Sequence, residues 1–114
     1  MKIIYNNHFP FGRYWAINIC GLIFARRQYG KLGVVERNHE YIHTLQQREL
    51  LFLGFYLIYI IEWVVKLCVY RDSHLAYRNI SFEREAYANE RNLNYRHARK
   101  PFAWYSFLVR KMAE

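Results

Sequence analysis

Asn38-His39-Glu40-Tyr41-Ile42-His43-Thr44-Leu45-Gln46-Gln47 is the stretch on which the reading of this chain turns. It contains His39-Glu40-x-x-His43. A helix advances about 100° per residue, so positions four apart lie about 40° apart on one face. Both imidazoles can then meet one metal ion. Glu40, next along the helix, points to the side where a third ligand leaves a coordination position open. There it can take a proton from a metal-bound water. On the same helix His39, His43, Gln46, Leu50 and Leu53 fall on one stripe, polar above and apolar below, as suits a site at the rim of a core.

Two histidines and a base need a third protein ligand, usually from a different helix. Ser81-Phe82-Glu83-Arg84-Glu85-Ala86-Tyr87-Ala88-Asn89-Glu90 offers one. With these two stretches together the chain resembles the gluzincins, the thermolysin-like zinc metallopeptidases. In that family the third ligand is a Glu on a later helix, commonly followed four residues on by an Asp or Asn that orients the ligand set. Glu85-Ala86-Tyr87-Ala88-Asn89 has that form, which makes Glu85 the expected ligand and Asn89 its orienting neighbour. Glu83 is the rival, since Glu83-Arg84-Glu85-Ala86 also fits part of the pattern. Glu85 leads because it has a polar residue on its own face one turn later. The Gln46-Gln47 pair is similar to the x-x-Gln that follows the zinc motif in a group of short bacterial proteins. The resemblance spans about residues 15–98 and rests on fewer than ten specific residues.

The resemblance implies Zn²⁺ held by His39, His43 and Glu85, with Glu40 as the general base for hydrolysis of a peptide or protein substrate. It also implies a Tyr or His donor to the oxyanion, for which Tyr87, Tyr95 and His97 stay open. Two other readings stand beside the enzyme. One is a catalytically degenerate zinc-binding protein. The other is a basic protein that binds a membrane surface or nucleic acid, because Arg and Lys interleave with aromatics from Tyr87 to Tyr105. No nucleic-acid motif accompanies that run, so nucleic acid is the weaker partner. His8 and His74 read as surface residues.

A chain of 114 residues makes one domain, 1–114, with a modest core and no room for a two-lobed protease. Hydrophobic residues at 54% and aromatics at 19% exclude a disordered chain. The formal charge of +8 favours anionic partners. Cys20 and Cys68 form no CxxC pair and read as buried free thiols in a reducing compartment. The N-terminus turns polar too soon for a signal peptide. These features predict a cytoplasmic protein, with the inner face of the membrane as a further station.

The expected fold is α+β and zincin-like: a small N-terminal antiparallel sheet under three to four helices. Lys2–Tyr5 reads as a short strand, with turns at Asn6-Asn7 and Phe9-Pro10-Phe11-Gly12. Trp15 to Arg27 reads as one strand bent at Gly21. In gluzincins the strand before the zinc helix is an edge that can pair with an extended substrate; a plain core strand is the alternative. After a loop at residues 28–33 the zinc helix begins between Val34 and Asn38, with Asn38 a possible cap.

Leu50 to Tyr70 is the most apolar run and long enough to span a bilayer. Tyr56, Tyr59, Glu62, Trp63, Lys66 and Tyr70 make a narrow polar stripe along it, with Glu62 and Lys66 able to pair. A helix buried in the core is the favoured reading, and membrane contact through residues 50–70 is the other. Gly54 marks a break or close contact between this helix and the zinc helix. Residues 71–74 read as a loop, Ser81 as the N-cap of the third-ligand helix, and 102–112 as a short closing helix after Pro101.

Overall fold

The computed structural model describes residues 2–9 and 15–109. It is mixed α/β, with a three-stranded sheet and six α-helices among the described residues. The turn expected through Gly12 falls largely outside those residues, as does the end of the closing helix.

Strands β1 (Lys2–Asn6), β2 (Ala16–Ile19) and β3 (Leu22–Arg26) pair in the order β1-β3-β2. β2 and β3 are antiparallel, but β1 lies parallel to β3, so the sheet is mixed rather than antiparallel. The single strand expected over Trp15–Arg27 is a hairpin. Its two-residue turn is Cys20-Gly21, with φ of 53° and 88°. Two successive left-handed residues match the twist of paired strands, and Gly21 takes that conformation without steric cost. The split makes β2 an edge strand and puts β3, the strand immediately before the helix of His39 and His43, in the middle. Ile23 and Ala25 are buried beneath Leu32, with Ile3, Tyr5, Trp15 and Ala16 packed against them.

Helix α1 (Val34–Glu49) begins after Gly33 without a side-chain cap; Glu36 in its first turn suits the helix dipole. Asn38 lies inside this helix and caps a different one, as described below. α1 turns sharply into α2 (Leu53–Tyr70) through Leu51 and Phe52, both at positive φ. This corner is the break expected at Gly54, which itself sits inside α2.

α2 departs furthest from the sequence reading. It is not a core helix. Its buried residues are Phe55, Glu62 and Lys66, while Leu57, Ile60, Ile61, Val64, Val65 and Val69 face outward. The polar stripe is the inner face. Cys20 and Cys68 are exposed, not buried, because one sits on the hairpin turn and the other on the outer face of α2.

Residues 71–74 form a helix start rather than a loop. Asp72 accepts hydrogen bonds from the N–H groups of His74 and Leu75 and opens α3 (Ser73–Arg78). α4 (Ser81–Asn89) follows, then α5 (Tyr95–Ala98) and α6 (Trp104–Val109). Ser81 is the first residue of α4, not its cap, because its hydroxyl is engaged by Glu62. The central apolar cluster is Phe55, Ile80, Phe82 and Trp104, joining α2, α4 and α6. Phe82 stacks on Phe55 at 4.5 Å between ring centroids and is fully buried. Truncating such a ring typically costs about 3–5 kcal/mol.

Both ends of α4 are fixed by buried polar groups. At its start, Glu62 of α2 accepts from the Ser81 N–H at 2.8 Å and the Ser81 hydroxyl at 2.5 Å. A carboxylate there also meets the positive end of the helix dipole. Lys66 pairs with Glu62 at 3.1 Å and donates to the Asn79 carbonyl. At its end, Asn38 Nδ2 of α1 lies 2.8–3.3 Å from the carbonyls of Asn89, Glu90 and Asn92. These contacts set the height and rotation of α4 against α1.

Candidate metal centre

His39 and His43 project from one face of α1, as their spacing requires, and both are buried. Facing them across the gap is Glu83 of α4. Glu83 Oε1 lies 3.2 Å from His39 Nε2 and 3.0 Å from His43 Nε2, and the two Nε2 atoms are 3.1 Å apart. Three potential ligand atoms therefore form a nearly equilateral triangle. A four-coordinate ion with bonds of about 2.0–2.1 Å spaces its ligand atoms about 3.3 Å apart. The triangle fits such an ion with a slight expansion. His39, Glu40 and His43 also bring one ligand-capable atom each within 4.8 Å of one another, so this buried group can hold a metal ion.

The outer nitrogens of both rings are engaged. His39 Nδ1 meets Glu90 Oε1 at 2.8 Å, and His43 Nδ1 meets Gln46 Oε1 at 2.8 Å. In the neutral tautomer that carries its proton on Nδ1, each ring donates outward and turns its Nε2 lone pair toward the centre. Gln46 is held in turn. Its Nε2 donates to the Phe82 carbonyl at 3.0 Å and to Glu85 Oε1 at 2.9 Å, which leaves its carbonyl oxygen for His43. Glu83 uses its second oxygen to accept from the Tyr59 hydroxyl at 2.8 Å.

Glu85 does not face the imidazoles. Residues two apart on a helix diverge by about 200°, so Glu83 and Glu85 cannot share a target. The Glu85 carboxylate is fully buried on the other side. It accepts from Arg99 at 2.5 Å and from the Tyr95 hydroxyl at 2.7 Å. Arg99 also pairs with Glu49 at 2.7 Å. Burial opposes the Arg99 charge, and the two carboxylates override it, holding its pKa above the usual value. Asn89 is likewise away from the rings, donating to the Glu85 backbone carbonyl at 2.9 Å. The place expected for Asn89 is taken by Glu90. Glu83, Tyr87 and Glu90 lie at spacings of four and three, one stripe along α4 and its C-cap turned toward His39.

Glu40 is buried, and its Oε2 has no hydrogen-bond partner among the described residues. Burial raises its pKa above the ordinary carboxylate range; His43 and His39 pull it back, and Glu83 pushes it further up. Burial likewise opposes the charge on His43. The Glu83 carboxylate overrides it, through both its field and its hydrogen bond, and raises His43 to about 9 in the metal-free chain. Glu83 is held well below its usual value: burial opposes this, but His43 and His39 dominate.

Two clefts meet at this centre. One, of about 500 Å³, has an apolar wall of Phe55, Tyr56, Ile60 and Trp63. The other, of about 390 Å³, is bounded by Trp15, Glu36, Tyr87 and Glu90. His39, Glu40, Ala16 and Tyr77 border both. Edge strand β2 runs beside them and is tied to α1 by Asn18, whose Nδ2 donates to the Glu40 carbonyl at 2.8 Å and to Thr44 Oγ1 at 2.7 Å. Gln47 Nε2 donates to the Asn18 carbonyl at 3.1 Å. The Gln46-Gln47 pair thus splits its work, one side chain to α4 and the next to β2.

Of the three candidates for a further donor, Tyr87 is at the site. Its ring lies edge-on to His39 at 4.5 Å, and its hydroxyl meets that of Tyr77 at 2.9 Å. Tyr95 is committed to Glu85, and His97 is exposed beside Arg96. His8 and His74 are exposed, as expected. The residues that sequence reasoning missed are Glu90, Tyr59 and Tyr77. Only Glu90 carried a signal, the seven-residue spacing from Glu83. No protein family, curated protein or solved structure matches the chain.

Proposed function

We propose that this protein is a minimal zinc-dependent peptidase of gluzincin type, with His39, His43 and Glu83 as metal ligands and Glu40 as general base. One observation carries the reading: a single Glu83 oxygen lies within 3.2 Å of both inward-facing imidazole nitrogens, while the outer nitrogens are tied to Glu90 and Gln46. Two histidines and a carboxylate suit Zn²⁺ with one position left open. When bound, that ion lowers the pKa of water and polarises a carbonyl.

The chain's own residues would do the rest. Glu40, buried and unpartnered at Oε2 among the described residues, takes a proton from the attacking water and returns it to the leaving amine. Tyr77 and Tyr87, a hydroxyl pair at the wall of the cleft, are the candidates to donate to the developing oxyanion. β2 is an edge strand beside the two clefts, the element along which an extended peptide would lie. Glu85 is assigned a positioning role: it fixes Gln46, which fixes His43.

The test is metal analysis combined with peptide hydrolysis. Purified protein should carry about one zinc per chain and cleave some member of a pool of quenched-fluorescent peptides. Glu40→Gln should keep the zinc and lose the cleavage. Equal turnover by Glu40→Gln would exclude Glu40 as the base, and a wild-type chain that takes up no zinc would exclude the centre altogether.

A further inference from the structure

α2 is built inside out for a helix on the surface of a protein in water. It is 18 residues long with a mean hydropathy of 1.7, and 17% of it is buried. On its outer face Leu57, Ile60, Ile61, Val64, Val65 and Val69 are each between 47% and 61% exposed. No charged side chain interrupts them. The two charged residues of the helix, Glu62 and Lys66, are turned inward, paired with each other and spent on the Asn79–Ser81 junction. Contiguous apolar surface of this extent marks an interaction face.

Its ends suit one partner. At the start of α2, Leu51 is 82% exposed at the sharp corner, next to exposed Arg48. Phe102 N–H donates to Glu49 there at 2.9 Å, bringing exposed Lys100, Phe102 and Tyr105 to the same end. The acidic side chains nearby are occupied, Glu49 by Arg99 and Asp72 by the cap of α3. Exposed Arg71 stands at the other end. An uncharged aliphatic strip, basic and aromatic at one end and with Arg71 beside the capping Asp72 at the other, on a chain of net charge +8, complements hydrocarbon bordered by anionic headgroups.

We propose that the outer face of α2 seats this protein on an anionic lipid bilayer, with the helix lying in the plane of the interface. Both ends of α2 return to one compact body, through α1 and through α3 and α4. Crossing the bilayer would carry the charged faces of those helices into hydrocarbon; lying in the plane does not. Ile60 and Trp63 belong both to α2 and to the wall of the larger cleft, so that cleft opens beside the lipid.

The full chain is tested with vesicles of phosphatidylcholine containing about one-third phosphatidylglycerol, and with vesicles of phosphatidylcholine alone. Flotation should recover the protein with the anionic vesicles and several-fold less with the neutral ones, and raising the salt should reduce binding. The double variant I61E/V65E should weaken partitioning at least about tenfold with its circular dichroism unchanged. A nitroxide on Cys68, in a Cys20→Ser background, should report a depth of about 5–10 Å. A label at Ile61→Cys lying at the bilayer centre would overturn the in-plane seating. Wild-type protein that ignores both vesicle types would overturn the proposal, whether it stays monomeric or forms a dimer broken by I61E/V65E. None of these readings depends on zinc or hydrolysis, so a failure here is distinct from a failure of the peptidase reading.

Discussion

The Glu62 carboxylate on α2 holds Ser81 by both its backbone N–H, at 2.8 Å, and its hydroxyl, at 2.5 Å, two residues before Glu83. Together with Tyr59 on the same helix, which donates to Glu83 at 2.8 Å, this contact fixes from α2 where a candidate ligand on α4 stands. Glu62→Leu should destabilise the chain by about 3–5 kcal/mol, because Lys66 is left buried without its carboxylate. Ser81→Ala should cost about 1 kcal/mol. Thermal melts of both variants check the order, and zinc affinity should fall with the larger effect.

Glu83 and Glu85 should separate cleanly. Glu83→Gln is expected to weaken zinc binding at least about 100-fold, since a neutral amide replaces an anionic ligand. Glu85→Gln should leave the ligand set standing but cost about 1.5–3 kcal/mol by removing one of the two carboxylates that hold Arg99. Zinc titration beside a melting curve distinguishes them. The opposite pattern would return the ligand role to Glu85.

The outer hydrogen bonds of the imidazoles should be worth about 10–100-fold in zinc affinity each. Glu90→Ala and Gln46→Ala are the variants, measured by competition with a chelator. Asn89→Ala, whose side chain caps only the Glu85 carbonyl, should change affinity little.

The metal-free chain should lose stability as the pH rises. His43 is raised from 6.5 to about 9 on folding, so its contribution is complete below pH 6.5 and disappears as the pH climbs through about 9. The depressed Glu83 acts in a different window, contributing above its unfolded value of 4.5 and lost as the pH falls. Melting in EDTA from pH 6 to 10 reads the His43 limb directly. In the same range zinc must displace a proton from His43, so apparent affinity should rise about tenfold per pH unit up to about 9.

Much of the site was legible before any coordinates. His39-x-x-x-His43 on a helix puts two imidazoles on one face by the pitch of the helix alone, and Glu40 follows from adjacency. The sequence also narrowed the third ligand to one helix. It favoured Glu85, and Glu83 faces the imidazoles instead, because the choice depends on the rotation of α4 about its axis. Glu62 and Asn38 set that rotation, from partners 19 and at least 51 residues away. The stripe Glu83-Tyr87-Glu90 was readable, but only once the facing helix was known to carry His39.

The hairpin was hidden for a local reason. Trp15–Arg27 is apolar and β-rich throughout, so periodicity marks strand but not the fold-back, and only Gly21 hints at it. For α2 the sequence determined the stripe and its members, yet not its direction. A polar stripe on an apolar helix reads the same whether it faces water or the protein. Tertiary structure resolved it, because the Asn79–Ser81 junction offers buried groups that Glu62 and Lys66 satisfy. The aliphatic face is outward as a consequence. Local spacing fixed which residues share a face; long-range hydrogen bonding decided what each face meets, since a buried charge must go where its partners are.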